Sequence, residues 1–78
     1  MSKLPVIHGA RMAEILRGLG FELARRRGSH VYFRHPDGRA TVVPMHQGED
    51  LGRGLIRTIL REIEMRPADY ERLVRKRR

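Results

Sequence analysis

The sequence has no cysteine and no tryptophan, and it has no long apolar segment. Without cysteine, the chain can form neither a disulfide framework nor a thiolate metal site, which is compatible with a reducing compartment. The apolar stretch from Leu4 to Ile7 is short and is interrupted by Pro5, so neither a signal peptide nor a membrane span is predicted. We therefore expect a cytoplasmic protein without membrane association.

Acidic residues are also scarce. Nine Asp and Glu stand against seventeen Lys and Arg, which gives a formal net charge of +8 over 78 residues. Fifteen of these cations are arginine, whose planar guanidinium suits bidentate phosphate contacts and stacking on bases. This charge favours a nucleic-acid partner, with RNA as the expected ligand or substrate. Charge alone leaves open a solubilising surface or a structural role at the ribosome.

The chain shows no internal repeat, no low-complexity tract and no interior linker. Its length fits one domain with one hydrophobic core, near the size at which burial barely exceeds the entropy cost of folding. We therefore predict a single domain over residues 1–74, followed by a basic tail over residues 75–78.

Apolar periodicity predicts two long helices and a short one. The first is expected at about Gly9–Leu19, with His8 at the N-cap and Gly20 at a left-handed C-cap. The second carries the clearest apolar stripe, formed by Leu55, Ile56, Ile59, Leu60 and Ile63. Pro67 suits the first turn of the third helix, whose expected buried side consists of Tyr70, Leu73 and Val74.

Between the first two helices the apolar residues alternate with period two, which predicts three strands. Phe21 and Leu23 are expected on one face of the first strand, and Val31 and Phe33 on one face of the second. A tight turn at 35–39 leads to a third strand at Ala40–Val43, and Pro44 is expected to stop regular pairing.

The predicted order is α-β-β-β-α(-α), which is a small α+β domain. We expect a three-stranded antiparallel sheet with helices on one face, an arrangement that resembles the double-stranded-RNA-binding domain.

Several ordered motifs extend along most of the chain. They are Gly20-Phe21, Arg27-Gly28-Ser29-His30, His35-Pro36-Asp37-Gly38-Arg39, Val43-Pro44-Met45-His46 and the segment from Gly54 to Leu60. In this order and spacing they resemble the HicA family of toxin ribonucleases. The resemblance implies an mRNA interferase of a type II toxin–antitoxin pair, with His30 as the catalytic residue and a HicB-type antitoxin as partner. One departure is His8, where the family often has a hydroxyl residue that caps the helix.

The chemistry of histidine agrees with this implied role. An imidazole with an ordinary pKa near 6.5 can take a proton from a ribose 2′-hydroxyl near neutral pH. Nearby arginines would bind phosphate and stabilise the transition state; the expected cations are Arg25, Arg26, Arg27 and Arg34. From the residues alone, without the resemblance, the favoured interpretation is that His30 is an exposed strand residue or that it hydrogen-bonds the turn at Gly28-Ser29.

By alternation His30, Tyr32 and Arg34 share one face of the second strand, so a base could stack on Tyr32 while Arg34 binds phosphate. Gly28 would allow a turn or a close approach of the RNA backbone, and Ser29 could orient the imidazole. Ordinary turn chemistry explains both residues as well.

His46 is a possible second catalytic residue, as a general acid, although a structural role in its loop is the favoured interpretation. Its neighbours Glu49 and Asp50 match no recognised metal-ligand spacing. The sequence therefore predicts cleavage without metal or other cofactor. The alternatives are a non-catalytic RNA-binding module and a ribosome-associated basic protein.

Overall fold

The computed structural model describes residues 3–76. Its elements follow the predicted order, with three helices and three antiparallel strands. They are α1 (Gly9–Gly18), β1 (Glu22–Arg27), β2 (His30–Arg34), β3 (Ala40–Pro44), α2 (Arg53–Glu62) and α3 (Pro67–Arg75). The predicted α+β class is confirmed. No helix in residues 3–76 is long and apolar enough to cross a membrane.

The first helix begins and ends close to the predicted residues. His8 is the N-cap, but its side chain makes no capping hydrogen bond; instead its Nδ1 lies 3.0 Å from Oδ1 of Asp50. At the other end Gly20 has φ of 99°. The N–H of Phe21 donates to the carbonyl of Leu16 at 2.9 Å, which completes the Schellman ending expected of this glycine.

The sheet has the order β1-β2-β3, and both strand pairs are antiparallel. Val31, Phe33 and Val43 are buried on its inner face, which the helices cover. Pro44 was expected to end the pairing, but it is the last residue of β3 and lies opposite His30. This position is compatible with proline because β3 is an edge strand.

Leu23, which was expected on the same face as Phe21, lies opposite the core residue Phe33 and so belongs to the inner side, but it is not buried there. Phe21 is buried just before β1, whereas Leu23 is 47% exposed and every residue of β1 is exposed. The reason is the position of the helices: α1 and α2 pack mainly against β3, so the strand at the opposite edge of the sheet extends beyond their cover.

The third helix starts at Pro67, as predicted, and Tyr70 is fully buried. Val74 is partly buried, but Leu73 is 37% exposed, so the predicted buried side was only partly right. The helix continues to Arg75, the first residue of the predicted tail. Residues 77 and 78 of that tail lie outside the described residues.

Candidate functional site

His30 is the first residue of β2 and directly follows a two-residue turn formed by Gly28 and Ser29. Gly28 has φ of 59°, as the first central residue of a tight hairpin turn requires. The N–H of Met45 donates to the carbonyl of Ser29 at 2.6 Å, which ties this turn to the end of β3. The imidazole is exposed, and its backbone is held between Arg27 on β1 and Pro44 on β3.

His30, Tyr32 and Arg34 lie on the outer face of the sheet, as alternation predicted. Val31 and Phe33, which alternate with them, are 1% exposed, whereas His30 and Arg34 are exposed and Tyr32 is half-buried. Alternate residues of a strand are about 6.6 Å apart. The three side chains therefore form a short row that begins at the turn.

The arginines of β1 are divided between the two faces by a bulge. The register shifts between Leu23 and Arg25, so that Arg25 lies opposite Tyr32 and Arg27 opposite His30. Arg26 lies opposite Val31, a core residue, and therefore belongs to the inner side. The guanidinium carbon of Arg25 is 4.8 Å from the centre of the Tyr32 ring, a cation–π contact.

Positive charge on β1 and β2 is not neutralised by nearby carboxylates. Within residues 3–76, no carboxylate oxygen lies within 4.0 Å of the charged nitrogens of Arg25, Arg26, Arg27 or Arg34. Three of these arginines surround the outer face that carries His30. A concentration of unpaired cations on one surface attracts polyanions and raises their local concentration.

Several carboxylates are engaged elsewhere with their own partners. The backbone N–H of Arg39 donates to Asp37 and holds the pKa of that carboxyl below its usual value. The hydrogen bond from Arg66 likewise lowers the pKa of Asp69, which also contacts Arg72. Both carboxylates stay charged at neutral pH, and they pair with arginines that lie away from the sheet face that carries His30.

Gly28 and Ser29 contribute backbone groups to the turn. The carbonyl of Gly28 accepts a long hydrogen bond of 3.4 Å from Nε of Arg26, and a Cβ at this glycine would meet nothing within 4 Å. In the part of the chain that the structure describes, the hydroxyl of Ser29 makes no hydrogen bond to the imidazole of His30. The positive φ of Gly28, and not crowding around its Cα, therefore accounts for glycine at this position.

His46 lies in the loop after β3, beside the N-terminus of α1. It lines one groove with His8 and Arg26 and another with Asp50. It does not cap α2, whose N-cap is Gly52. Among residues 3–76, no three His, Asp or Glu side chains converge in a way that could hold a metal ion.

His35 has a packing role at the other end of β2. Its ring meets Phe21 edge-on, with 5.0 Å between the ring centres, and its Nδ1 accepts a hydrogen bond from the backbone N–H of Asp37. The side chain therefore connects the hairpin turn to the end of α1.

A shallow groove of about 380 Å³ crosses the outer face beside this row. Tyr32, Arg25 and Arg34 line it together with Thr41 and Val42 of β3 and Glu62 of α2. Neither Glu62 nor Val42 was expected as a site residue from the sequence. Their proximity to Tyr32 depends on strand register and on the docking of α2, for which the chain carries no short-range signal.

One protein-family model matches this chain. The model of the HicA toxin of bacterial toxin–antitoxin systems matches residues 9–65. The chain belongs to the HicA toxin family. The matched region contains α1, the whole sheet and α2, and so includes His30 and the row beside it. Membership assigns this HicA protein to the toxins of toxin–antitoxin systems. No curated protein matches the chain.

Proposed function

We propose that this HicA-family toxin is an endoribonuclease that cleaves mRNA, with His30 as general base. The observation that carries the proposal is the position of His30, exposed on the outer sheet face and held at the hairpin between Arg27 and Pro44. Arginines without carboxylate partners surround it. This combination provides a proton acceptor beside a phosphate-binding surface, which are the two requirements of RNA cleavage by transesterification.

In this mechanism the nucleophile belongs to the substrate. The imidazole of His30 takes the proton of a ribose 2′-hydroxyl, whose oxygen attacks the adjacent phosphorus. The bond from phosphorus to the 5′-oxygen breaks, and water supplies a proton to the leaving oxygen. Arg27, which lies opposite His30, stabilises the charge that develops on the phosphoryl oxygens. The products are a 2′,3′-cyclic phosphate and a 5′-hydroxyl, and no metal ion takes part.

The remaining site residues have supporting roles. Tyr32 offers a stacking surface for a base, and Arg34 binds a phosphate farther along the strand. Gly28 and Ser29 shape the turn that holds His30, and Arg26 adds positive charge on the inner side. We assign His46 a structural role in its loop, because it lines grooves with His8, Arg26 and Asp50.

The partner that silences the toxin is proposed to be a HicB-type antitoxin that covers the His30 face. Acidic groups on such a partner would pair with Arg25, Arg27 and Arg34 and so exclude RNA. The same contacts would reduce repulsion among these cations, which supports a stable complex.

The decisive experiment replaces His30 with alanine. Loss of a general base lowers the rate by about 10²- to 10⁴-fold, whereas the exposed position of His30 predicts little change in stability. Cleavage of RNA in the presence of EDTA is measured for His30→Ala and for the control His46→Ala, with circular dichroism to show that both are folded. His46→Ala is expected to retain most of the activity.

Two results would contradict this function. Cleavage that persists in His30→Ala would exclude His30 as the base, and a 3′-hydroxyl product would exclude attack by the 2′-oxygen. If wild type and His30→Ala both bind RNA, leave it intact and are equally harmless when expressed, the protein is a non-catalytic RNA-binding module. Harmless expression with co-sedimentation on ribosomes would indicate a ribosome-associated protein.

A further inference from the structure

Glu62 is a carboxylate at the edge of a surface that is otherwise positively charged. It is the last residue of α2, it is exposed, and it lines the same groove as Tyr32 and Arg25. Within residues 3–76, no Lys, Arg or His nitrogen lies within 4.0 Å of its carboxylate. A carboxylate in this place repels phosphate, so it is not part of a phosphate-binding site.

The carboxylate is nevertheless held in position. The hydroxyl of Thr41, whose side chain is buried with only 4% exposure, donates to Oε1 of Glu62 at 2.7 Å. Thr41 lies opposite the core residue Phe33, so this bond holds the carboxylate at the β3 edge of the sheet, between the inner face and the groove that Glu62 also lines. An ionised carboxylate has about four acceptor positions, and Thr41 occupies one. The remaining positions on both oxygens can accept hydrogen bonds from a ligand in the groove.

The rest of the groove has the chemistry of a base-binding site. Tyr32 and the guanidinium of Arg25 are both planar groups on which bases stack, and Val42 adds an apolar floor. Arg34 also lines the groove and is available for a phosphate. The groove thus combines planar and apolar groups with a cation and, from Glu62, a carboxylate acceptor.

We propose that this groove receives one unpaired guanine next to the cleaved bond and that Glu62 is the specificity-determining residue. This inference rests on the proposed function for its RNA substrate. Guanine presents two adjacent donors, N1–H and N2–H, on its Watson–Crick edge, which match the two oxygens of a carboxylate. Adenine and cytosine present one amino donor beside an acceptor nitrogen, and uracil places its donor between two carbonyls. Only guanine can therefore make a bidentate pair with Glu62.

Two consequences follow from the position of the groove. Tyr32 is two residues from His30 on the same face, about 6.6 Å along the strand, so the bound base belongs to a nucleotide close to the reacting 2′-hydroxyl. The Watson–Crick edge must also be free to reach Glu62. The substrate is therefore single-stranded at this nucleotide, in contrast to the shape recognition of paired RNA that the sheet-and-helix architecture suggests.

The test measures base selectivity in a protein that cannot cleave. The His30→Ala protein is titrated with short uridine oligonucleotides that carry a single guanine or a single adenine at each position in turn, and binding is followed by fluorescence anisotropy. A good bidentate contact discriminates by on the order of tenfold. We expect such a preference for guanine at one position, and its loss when Glu62→Gln is added.

The matched control is Glu64→Gln. Glu64 lies two residues beyond Glu62 and is exposed, but it does not line the groove. Both substitutions remove one negative charge, so both should raise the affinity for the adenine oligonucleotides, and only Glu62→Gln should also remove the extra affinity for guanine and with it the ratio between guanine and adenine. An amide oxygen at position 62 can still accept from Thr41, so the variant is expected to fold.

Equal binding of guanine and adenine, or a guanine preference that persists in Glu62→Gln, would overturn the inference. Equal binding is the result expected if the groove serves a protein partner. This failure is distinct from failure of the proposed function: cleavage by wild type without guanine selectivity removes only the role of Glu62, whereas guanine-selective binding without cleavage removes only the catalytic role of His30.

Discussion

One unpaired residue of β1, Ala24, decides which of the three arginines that follow it lie on the face of the candidate site. If β1 continued regularly from Leu23 opposite Phe33, Arg26 would lie opposite His30. Ala24 has no partner on β2, and this extra residue shifts the alternation by one position. Arg25 and Arg27 consequently share the outer face with His30, and Arg26 lies on the inner side.

This placement predicts unequal effects for neighbouring arginines. In the His30→Ala background, Arg27→Ala should weaken RNA binding and lower the slope of log K against log salt by about 0.7, the loss of one phosphate contact with a single strand. Arg26→Ala should change both quantities much less. Binding titrations at several salt concentrations measure the difference, and equal slopes for the two variants would contradict the assignment.

At the scale of elements, α1 and α2 end with the same backbone conformation but with different residues in it. Each helix ends in a Schellman motif, closed by the N–H groups of Phe21 and Met65. At α1 the left-handed residue is Gly20, but at α2 it is Glu64, with φ of 59°. The first ending was predictable because glycine is the usual residue there, whereas a glutamate carries no such signal.

Gly20 and Gly18 form a matched pair for testing the ending of α1. A Cβ at Gly20 would lie 2.9 Å from Nε2 of His35, and φ there is 99°; strain and crowding together predict that Gly20→Ala destabilises by about 1–3 kcal/mol. Gly18 is helical with open space around it, so Gly18→Ala should stabilise by about 0.5–1 kcal/mol. Urea unfolding measures both; a neutral Gly20→Ala would show that the turn relaxes without cost.

At the scale of the whole molecule, the two ends of the described chain pack against each other. Residues 3–8 and α3 lie outside the region that the family model matches. The hydroxyl of Tyr70 donates to the carbonyl of Pro5 at 2.6 Å, and Nε of Arg53 donates to the carbonyl of Leu4 at 2.8 Å. Leu4 and Tyr70 are both part of the core, so these segments complete the hydrophobic interior of a small domain.

Tyr70→Phe tests this connection. Loss of the hydroxyl leaves the Pro5 carbonyl without its partner and should cost about 1–2 kcal/mol at neutral pH. Burial raises the pKa of Tyr70 from 10.0 to about 12. Its contribution is therefore fully present below pH 10 and is lost as the pH rises to about 12.

Chemical denaturation between pH 7 and pH 12 measures both effects. The wild type should lose more stability than Tyr70→Phe over the alkaline part of this range. Only in the wild type does unfolding expose the phenol of Tyr70, which then loses its proton and so stabilises the unfolded state. Parallel curves for the two proteins would contradict a buried, hydrogen-bonded Tyr70.

The division at residue 74 between a domain and a basic tail stays a prediction. The last turn of α3 includes Arg75, where Glu71 pairs with it at 3.3 Å. We propose that residues beyond this turn add non-specific affinity for RNA. Removal of residues 76–78 should then weaken binding without changing the unfolding midpoint.

The sequence by itself determined the order of the elements, the ending of α1, the hairpin at 35–39 and the shared face of His30, Tyr32 and Arg34. These features follow from short-range chemistry: apolar periodicity, glycine at positive φ, and alternation along one strand. The ordered motifs also carried the resemblance to HicA toxins, which the family match over residues 9–65 confirmed.

Only the tertiary structure decided which arginines face outward, where Glu62 lies and what Tyr70 contacts. The bulge at Ala24 depends on how two strands align, and Leu23 is exposed on the inner side because helix cover of β1 depends on packing. Glu62 reaches the groove through α2, and Tyr70 reaches Pro5 across 65 residues of sequence. Such contacts are set by the simultaneous packing of distant segments, which local residue patterns do not encode.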